Sequence, residues 1–190
     1  MKLVILGRDG ILNAYRDDHV KVPQEWVPIP GALEALARLN HAGWHAVVAT
    51  NQAGIGRGMI DMASVNAVHA HMNRLALERG ARLDAVFFCP HTPEEDCACR
   101  KPRPGMLLDI GRRYGLPLAQ VPVVSDTLRD LLAAQAAGCE PHLVRSGRAA
   151  SMDAAQWQAI QAQVPAAVSH ADLGAFVDSL LAREASDRSR

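Results

Sequence analysis

The sequence has no excess of charge of either sign and no long apolar run. Its 190 residues carry 20 basic and 20 acidic side chains, so the formal net charge is zero. This balance argues against a protein dedicated to nucleic acid or to polybasic contact with a membrane. No apolar segment approaches the roughly 20 residues that span a bilayer. A site for an anionic ligand must therefore come from local geometry.

The sequence shows no internal repeat and no linker between domains, and we expect its start to be a strand and not a secretory leader. Its first apolar run, Lys2–Leu6, is too short for a signal peptide and is followed at once by Gly7, Arg8 and Asp9. A length of 190 residues suits one domain with a full core. We therefore predict a single domain over 1–184, a frayed tail over 185–190, a cytoplasmic location and a monomer.

Short β-branched runs alternate along the chain with segments of helical periodicity. Strands are predicted over 2–6, 45–50, 85–88, 122–125 and 141–145. Helices are predicted between Gly31 and Gly43 and over 64–79, 105–114, 128–137 and 172–183. This order predicts an α/β fold, Rossmann-like, with a parallel sheet and helices on both faces.

Polar residues follow the first four predicted strands at their carboxyl ends. The groups are Arg8-Asp9, Thr50-Asn51-Gln52, Cys89-Pro90-His91 and Ser125-Asp126. Ligands of open parallel sheets bind beyond the carboxyl ends of the strands. We therefore expect these groups to converge on one site.

Three of the four cysteines lie within the segment 89–99. Cys89 and His91 are followed by Cys97 and Cys99, which together supply the three thiolates and one imidazole of a closed tetrahedral zinc site. A disulfide between Cys97 and Cys99 would be strained. The alternative is a loop with incidental cysteines. Because four ligands leave no open position, the predicted zinc would stabilise the loop and take no part in chemistry.

The remaining polar groups are the parts of a phosphoryl-transfer site. Asp9 can act as general acid and base, and Thr50 and Lys101 can hold phosphoryl oxygens. Asp126 can ligate Mg²⁺, although it could also be the N-cap of the following helix. We interpret Asp130, one turn later, as structural.

Three further residues, Asn51, Gln52 and Arg100, are predicted to bind the rest of a substrate. Arg100 and Lys101 directly follow the predicted zinc ligand Cys99, so the metal would also hold these two cations in place.

Two segments carry a specific resemblance to a known family. They are Cys89-Pro90-His91 and the run from Cys97 to Met106, CACRKPRPGM. With the loop after the first strand and the segment 49–58, they resemble the haloacid dehalogenase superfamily, and within it the group of heptose-bisphosphate and histidinol-phosphate phosphatases. The resemblance extends from Met1 to about Arg148. It implies a structural zinc, Mg²⁺ dependence and hydrolysis of a phosphorylated sugar or similar small phosphomonoester, in the synthesis of lipopolysaccharide heptose.

The resemblance also implies roles for individual residues. Asp9 would be the general acid and base and would offer Mg²⁺ its backbone carbonyl. Thr50 and Lys101 would stabilise the phosphoryl group, Arg100 would recognise substrate, and Asp126 would ligate Mg²⁺.

The sequence departs from this family at the position of the nucleophile. The family motif begins Asp-x-Asp, and its first Asp is both nucleophile and metal ligand, whereas this chain has Gly7-Arg8-Asp9. Gly7 could be an ordinary turn glycine, but it cannot form an aspartyl-phosphate. Tyr15 stands where the family usually has an acidic residue, and Ser125 where it has glycine. Two hypotheses follow: a phosphatase of this type with impaired turnover, or a non-catalytic phosphosugar-binding or regulatory relative.

Overall fold

The six strands of the sheet all run parallel. The computed structural model describes residues 1–188, and its strands are β1 (Lys2–Leu6), β2 (Trp44–Asn51), β3 (Ala85–Cys89), β4 (Pro122–Ser125), β5 (Glu140–Val144) and β6 (Val168–His170). Their spatial order is β3-β2-β1-β4-β5-β6. The chain changes direction across the sheet between β1 and β4, which is where open α/β sheets bind their ligands.

Helices cover both faces of this sheet, which confirms the predicted architecture. They are α1 (Ala32–His41), α2 (Ala53–Gly56), α3 (Met62–Glu78), α4 (Gly105–Tyr114), α5 (Leu128–Ala137), α6 (Ala154–Gln163) and α7 (Leu173–Arg188). Val4 and Leu6 of β1 pack into the core formed by α1, α3 and α7. Leu3 and Ile5 point to the opposite face and pack against α4 and α5. Alternate side chains of one strand thus fill two layers, which explains the unbroken apolar run of β1.

The carboxyl-terminal part differs most from the sequence prediction. The short edge strand β6 and the helix α6 were not predicted, because residues 150–167 are rich in alanine and glutamine and carry little periodicity. Residues 185–188 of the predicted tail continue α7. An ion pair of 3.0 Å between Lys2 and Glu184 ties the end of this helix to β1. Residues 189–190 of the predicted tail lie outside the described residues.

Within residues 1–188, no helix has both the length and the apolar character needed to cross a lipid bilayer.

Candidate functional site

The ends of β1, β2 and β4 meet at the carboxyl edge of the sheet as predicted, whereas Cys89-Pro90-His91, after β3, lines neither of the two cavities there. A small cavity, here called the phosphate pocket, is lined by Gly7, Arg8, Asp9, Ala49, Thr50, Asn51, Lys101, Asp126, Arg129, Asp130 and Arg148. It shares Arg8, Asp9, Asn51, Arg129 and Arg148 with a larger cavity of about 250 Å³. The larger cavity is also lined by Tyr15, Arg16, Asp17, His19, Ala53, Arg57 and Arg100. The arrangement offers an inner chamber for one anionic group and an outer chamber for the rest of a ligand.

Asp9 is fixed by three neighbours. Arg8 Nη2 lies 3.1 Å from Asp9 Oδ1, and Asn13 donates to the same oxygen at 3.0 Å. Gln52 donates to Asp9 Oδ2 at 3.0 Å. Burial opposes ionisation of Asp9, but the charge of Arg8 and the hydrogen bonds outweigh it and lower the pKa of Asp9. The carboxylate is therefore ionised at neutral pH and can accept a proton more readily than it can donate one.

Gln52 positions other residues and does not line either cavity. It is 2% exposed, and its amide donates to Thr50 Oγ1 at 2.8 Å as well as to Asp9. Its oxygen accepts from Arg8 at 3.3 Å. The geometry therefore does not support the sequence-based assignment of Gln52 to substrate binding. Both ends of its amide are hydrogen-bonded to other residues of the protein.

Lys101 is held in the phosphate pocket by Asn51 and Asp130. Asn51 donates from its amide to Lys101 O at 3.0 Å and accepts from Lys101 N at 3.2 Å. Lys101 Nζ lies 2.7 Å from Ala49 O and 2.5 Å from Asp130 Oδ2. Ser125 Oγ donates to the same carboxylate oxygen at 2.9 Å. Asn51 thus orients Lys101 as well as lining the cavities. The structural role of Asp130 is to hold the ammonium group of Lys101.

The ion pair keeps Asp130 charged although it is buried. Burial raises the pKa of this carboxyl. The charges of Lys101 and Arg129 and the hydrogen bonds from Lys101 and Ser125 outweigh this effect and bring the pKa down to about 2.

Asp126 lies in a narrow space between two backbone segments. A Cβ atom at Gly10 would be 2.1 Å from Asp126 Oδ2, and one at Gly147 would be 2.4 Å from it. Both glycines also have positive φ, 83° and 52°, so other residues are disfavoured there twice over. Arg148 donates its backbone N–H to Asp126 Oδ2 at 2.8 Å.

The burial of Asp126 raises its pKa, against the opposing effect of Arg148. The N-cap of α5 is Thr127, which accepts from Asp130 N, and not Asp126.

Gly7 is not required by the backbone. Its φ lies outside the left-handed region that favours glycine, unlike that of Gly10. A Cβ built at Gly7 would be 3.0 Å from Ile11 Cγ1, 3.6 Å from Val124 O and 3.8 Å from Ser125 Oγ. A Cβ atom therefore fits if Ile11 shifts by a few tenths of an ångström. The interpretation of Gly7 as a turn glycine is not supported.

The residues around Gly7 do not fit a tightly bound Mg²⁺. Mg²⁺ requires oxygen ligands in near-octahedral geometry and is usually held by one or two carboxylates. Gly7 offers no carboxylate, and the Asp9 side chain is occupied by its three neighbours. Asp126 is ion-paired with Arg148, whose Nη1 lies 3.4 Å from each of its oxygens. The Asp126 carboxylate and the Asp9 carbonyl are what remains of the ligand set that the sequence predicted.

The four predicted zinc ligands, in contrast, form a compact cluster. The ligand atoms of Cys89, His91, Cys97 and Cys99 all lie within 4.8 Å of one another. Cys97 Sγ is 3.5 Å from both other sulfurs, and His91 Nδ1 is 3.3 Å from Cys99 Sγ. A tetrahedron with Zn–S bonds of about 2.3 Å has edges of about 3.8 Å. The donor set and its dimensions therefore fit zinc.

The zinc-ligand loop is connected to both cavities. Arg100 donates to His91 O at 3.2 Å and lines the larger cavity. Lys101, the next residue, lines the phosphate pocket. Ordering of the loop thus places one cation in each chamber.

Sequence reasoning missed two arginines of the phosphate pocket, Arg129 and Arg148, and it expected Arg8 at the site without giving it a role. Arg8 is 2% exposed and pairs with Asp9. Arg129 Nε lies 3.2 Å from Asp130 Oδ1, and Arg148 pairs with Asp126. Arg148 lies a few residues beyond the end of β5, and only the fold brings it to Asp126.

Known proteins with the same architecture define the class. A model of the HAD-hydrolase-like family matches residues 98–171. A crystal structure of D,D-heptose 1,7-bisphosphate phosphatase from Bordetella bronchiseptica, complexed with magnesium and phosphate, is 47% identical and has a TM-score of 0.88, with 96% of this chain and 99% of that chain covered. The corresponding enzyme from Burkholderia thailandensis is 44% identical with a TM-score of 0.73, over 95% and 99% of the two chains. The fold is that of the haloacid dehalogenase class.

Curated relatives narrow this class to one family. D-glycero-beta-D-manno-heptose-1,7-bisphosphate 7-phosphatase of B. bronchiseptica is 54% identical over 77% of this chain and 82% of its own length. The enzyme of the same name from Pseudomonas aeruginosa is 48% identical over the same shares. A relative named for the alpha anomer, from Mycobacterium bovis, is 37% identical over 72% of this chain and 75% of its own length. The chain belongs to the D-glycero-D-manno-heptose 1,7-bisphosphate 7-phosphatase family.

Proposed function

We propose that this chain binds the 7-phosphate of D-glycero-D-manno-heptose 1,7-bisphosphate as its relatives do, but hydrolyses it poorly because residue 7 is glycine. The observation that carries the proposal is the pairing of a retained phosphate pocket with the missing side chain. Thr50, Asn51 and Lys101 line the pocket together with Gly7, which has no carboxylate. The substrate class comes from relatives that are about half identical to this chain.

The retained groups can bind and polarise a phosphoryl group. Lys101 supplies a buried ammonium and Thr50 a hydroxyl, and both are suited to equatorial phosphoryl oxygens. In this proposal Asp9 accepts a proton from an attacking water. Arg100 and the other cations of the larger cavity suit the second phosphate of a bisphosphate.

The attack on phosphorus lacks its nucleophile, because residue 7 has no carboxylate. Family chemistry passes through an aspartyl-phosphate, and glycine has no oxygen to form one. Removing the nucleophile of a different covalent hydrolase costs roughly 10⁶ in kcat. Direct attack by water is the remaining route and should be slow. Mg²⁺, which would neutralise phosphate charge in the relatives, is proposed to bind weakly or not at all.

The zinc is proposed to be structural. Cys89, His91, Cys97 and Cys99 would hold it as a closed set, which leaves no position for substrate. Its effect on the pocket would be exerted through Arg100 and Lys101, which the loop anchors.

A second candidate is a non-catalytic phosphosugar-binding or regulatory relative. The observation that favours it is that every remaining carboxylate of the phosphate pocket is paired with a cation of the same chain. Such a pocket can bind an anion without carrying out hydrolysis.

Phosphate release from the heptose bisphosphate separates these candidates. We expect the native chain to release little phosphate, and Gly7→Asp with Mg²⁺ to raise kcat by several orders of magnitude, up to roughly 10⁶. Gly7→Asn is the matched control, since it has a similar volume but no nucleophilic carboxylate. Both anomers should be offered, because the relatives are named for either.

Ordinary turnover by the native chain would refute the impaired mechanism. A folded Gly7→Asp chain that binds phosphate and Mg²⁺ but stays inactive would favour the non-catalytic relative.

A further inference from the structure

The charges of the phosphate pocket nearly balance within the chain itself. Its three carboxylates each have a cationic partner: Arg8 lies 3.1 Å from Asp9, Lys101 2.5 Å from Asp130, and Arg148 3.4 Å from Asp126. Arg129 is a fourth cation and also contacts Asp130. Four cations thus face three carboxylates among the lining residues, which leaves one excess positive charge. An Asp at position 7 would cancel it.

Arg129 and Arg148 are the cations that this arrangement leaves available to a ligand, and Arg148 is the one that contacts Asp126. Lys101 donates to two oxygens of the protein, and Arg8 is buried and contacts His69, Asp9 and Gln52. The side chain of Arg148 is 36% exposed, and it lines both cavities. Among residues 1–188, only Nη1 of its guanidinium has a hydrogen-bond partner, so Nε and Nη2 retain donors.

Tyr15 fixes the orientation of this guanidinium. The Arg148 guanidinium carbon lies 3.7 Å from the centroid of the Tyr15 ring, which is a close cation–π contact. The backbone N–H of Arg148 is at the same time bonded to Asp126. The guanidinium of Arg148 is therefore held by the Tyr15 ring, and its backbone is held by the Asp126 carboxylate. A contact with the ring face does not use the N–H groups, which lie in the plane of the guanidinium, and this planar fork suits two phosphate oxygens.

We propose that Arg148 takes the place of Mg²⁺ as the cation that holds a phosphate group in this pocket, so that this chain binds phosphate and phosphate monoesters without a divalent metal. The inference rests on the proposed function only in taking a phosphate group as ligand, and it requires no hydrolysis. Arg148 shields the phosphate from Asp126 and binds it directly. Its partner Tyr15 stands where the family usually has an acidic residue, so no second carboxylate competes for the guanidinium there.

Calorimetric titration of inorganic phosphate into the zinc-loaded chain tests this inference. The buffer is cleared of divalent ions by a chelating resin and used with and without millimolar MgCl₂, because a soluble chelator would strip the zinc. We expect the affinity of the native chain to be the same within about twofold in both buffers. Arg148→Gln should weaken binding by about tenfold or more, as expected for loss of charge-assisted hydrogen bonds.

Further variants keep the test sharp. Arg148→Lys keeps the charge and loses the fork, so an intermediate affinity is expected. Arg145→Gln, an exposed arginine outside both cavities, should bind as the native chain does. Gly7→Asp should make phosphate binding depend on Mg²⁺. Thermal melting confirms that each variant is folded, and if Arg148→Gln is not, Tyr15→Leu tests the same cation by removing the stacking, with a several-fold loss expected.

Three outcomes overturn the proposal: native binding that requires Mg²⁺, native affinity in Arg148→Gln, or no phosphate binding by the native chain. Failure of Gly7→Asp to restore turnover, with metal-independent phosphate binding intact, would refute the proposed function and leave this inference standing. Restored turnover together with Mg²⁺-dependent native binding would do the reverse.

Discussion

The zinc-ligand loop and the phosphate pocket share one edge of the sheet and meet at Arg100 and Lys101, but only the first has a complete set of side chains. The loop brings four donor atoms within 4.8 Å of one another. The pocket keeps its cations, its hydroxyl and Asp126, while residue 7 offers nothing to bond with phosphorus. The difference shows that the scaffold of a phosphatase site and its bond-forming group are separable. The scaffold depends on the zinc-ligand loop and on the ion pairs of the pocket, and residue 7 belongs to neither.

The largest expected effect concerns the loop. Removing the metal, or changing Cys97→Ser, should lower the free energy of unfolding by on the order of 5 kcal/mol, because structural zinc contributes directly to folding. Elemental analysis should give one zinc per native chain and less in the variant. Cys139→Ala is the matched control, since this buried cysteine is not one of the four clustered ligands and its loss should leave the zinc content unchanged. A native chain without zinc would abolish the contrast between the two regions.

A smaller effect is expected in the phosphate pocket. Lys101→Met leaves the buried Asp130 without its closest cation and should cost about 3 kcal/mol, toward the low end for a broken buried pair because Arg129 remains. Lys101→Met with Asp130→Leu should recover most of this stability but bind no phosphate. Denaturant unfolding measures the first quantity and calorimetry the second. If the single variant is as stable as the native chain, Asp130 does not depend on Lys101.

The smallest expected effect is on the pH dependence of stability. As the pH falls, the zinc-ligand loop should lose its metal before the phosphate pocket loses the ion pair of Asp130. Zinc needs deprotonated thiolates and a neutral imidazole, so it should dissociate below about pH 5. The pKa of Asp130 is about 2 in the folded chain, below its ordinary 3.8. Its ion pair is therefore fully present above 3.8 and is lost as the pH falls toward 2. We expect an indicator dye to detect zinc release at a pH where the stability difference between the native chain and Asp130→Asn is still unchanged. Loss of both together would mean that Lys101 is held only by the loop.

Much of the fold followed from local pattern. The strand β1 and the helices α4 and α5 were predicted accurately, because a buried parallel strand is continuously apolar and because Pro104, Gly115 and Gly138 mark helix ends. The edge strand β6 has three residues, too few for any period to be visible. The last turn of α7 is stabilised by contacts with β1, which a local pattern does not contain.

The site divides in the same way. The four predicted zinc ligands lie within eleven residues, so their spacing alone brought them together. The role of Gln52 was missed because its partner Asp9 is 43 positions away. Arg148 was missed because its contact with Asp126 spans 22 positions and a change of strand.

The sequence by itself determined the alternation of strands and helices, the donor atoms of the loop and the absence of a carboxylate at residue 7, because each is a property of neighbouring residues or of a single side chain. Only the tertiary structure decided which cation faces which carboxylate. Those pairings depend on the order β3-β2-β1-β4-β5-β6, which places residues far apart in the chain at one edge of the sheet and leaves the pocket with an excess of positive charge.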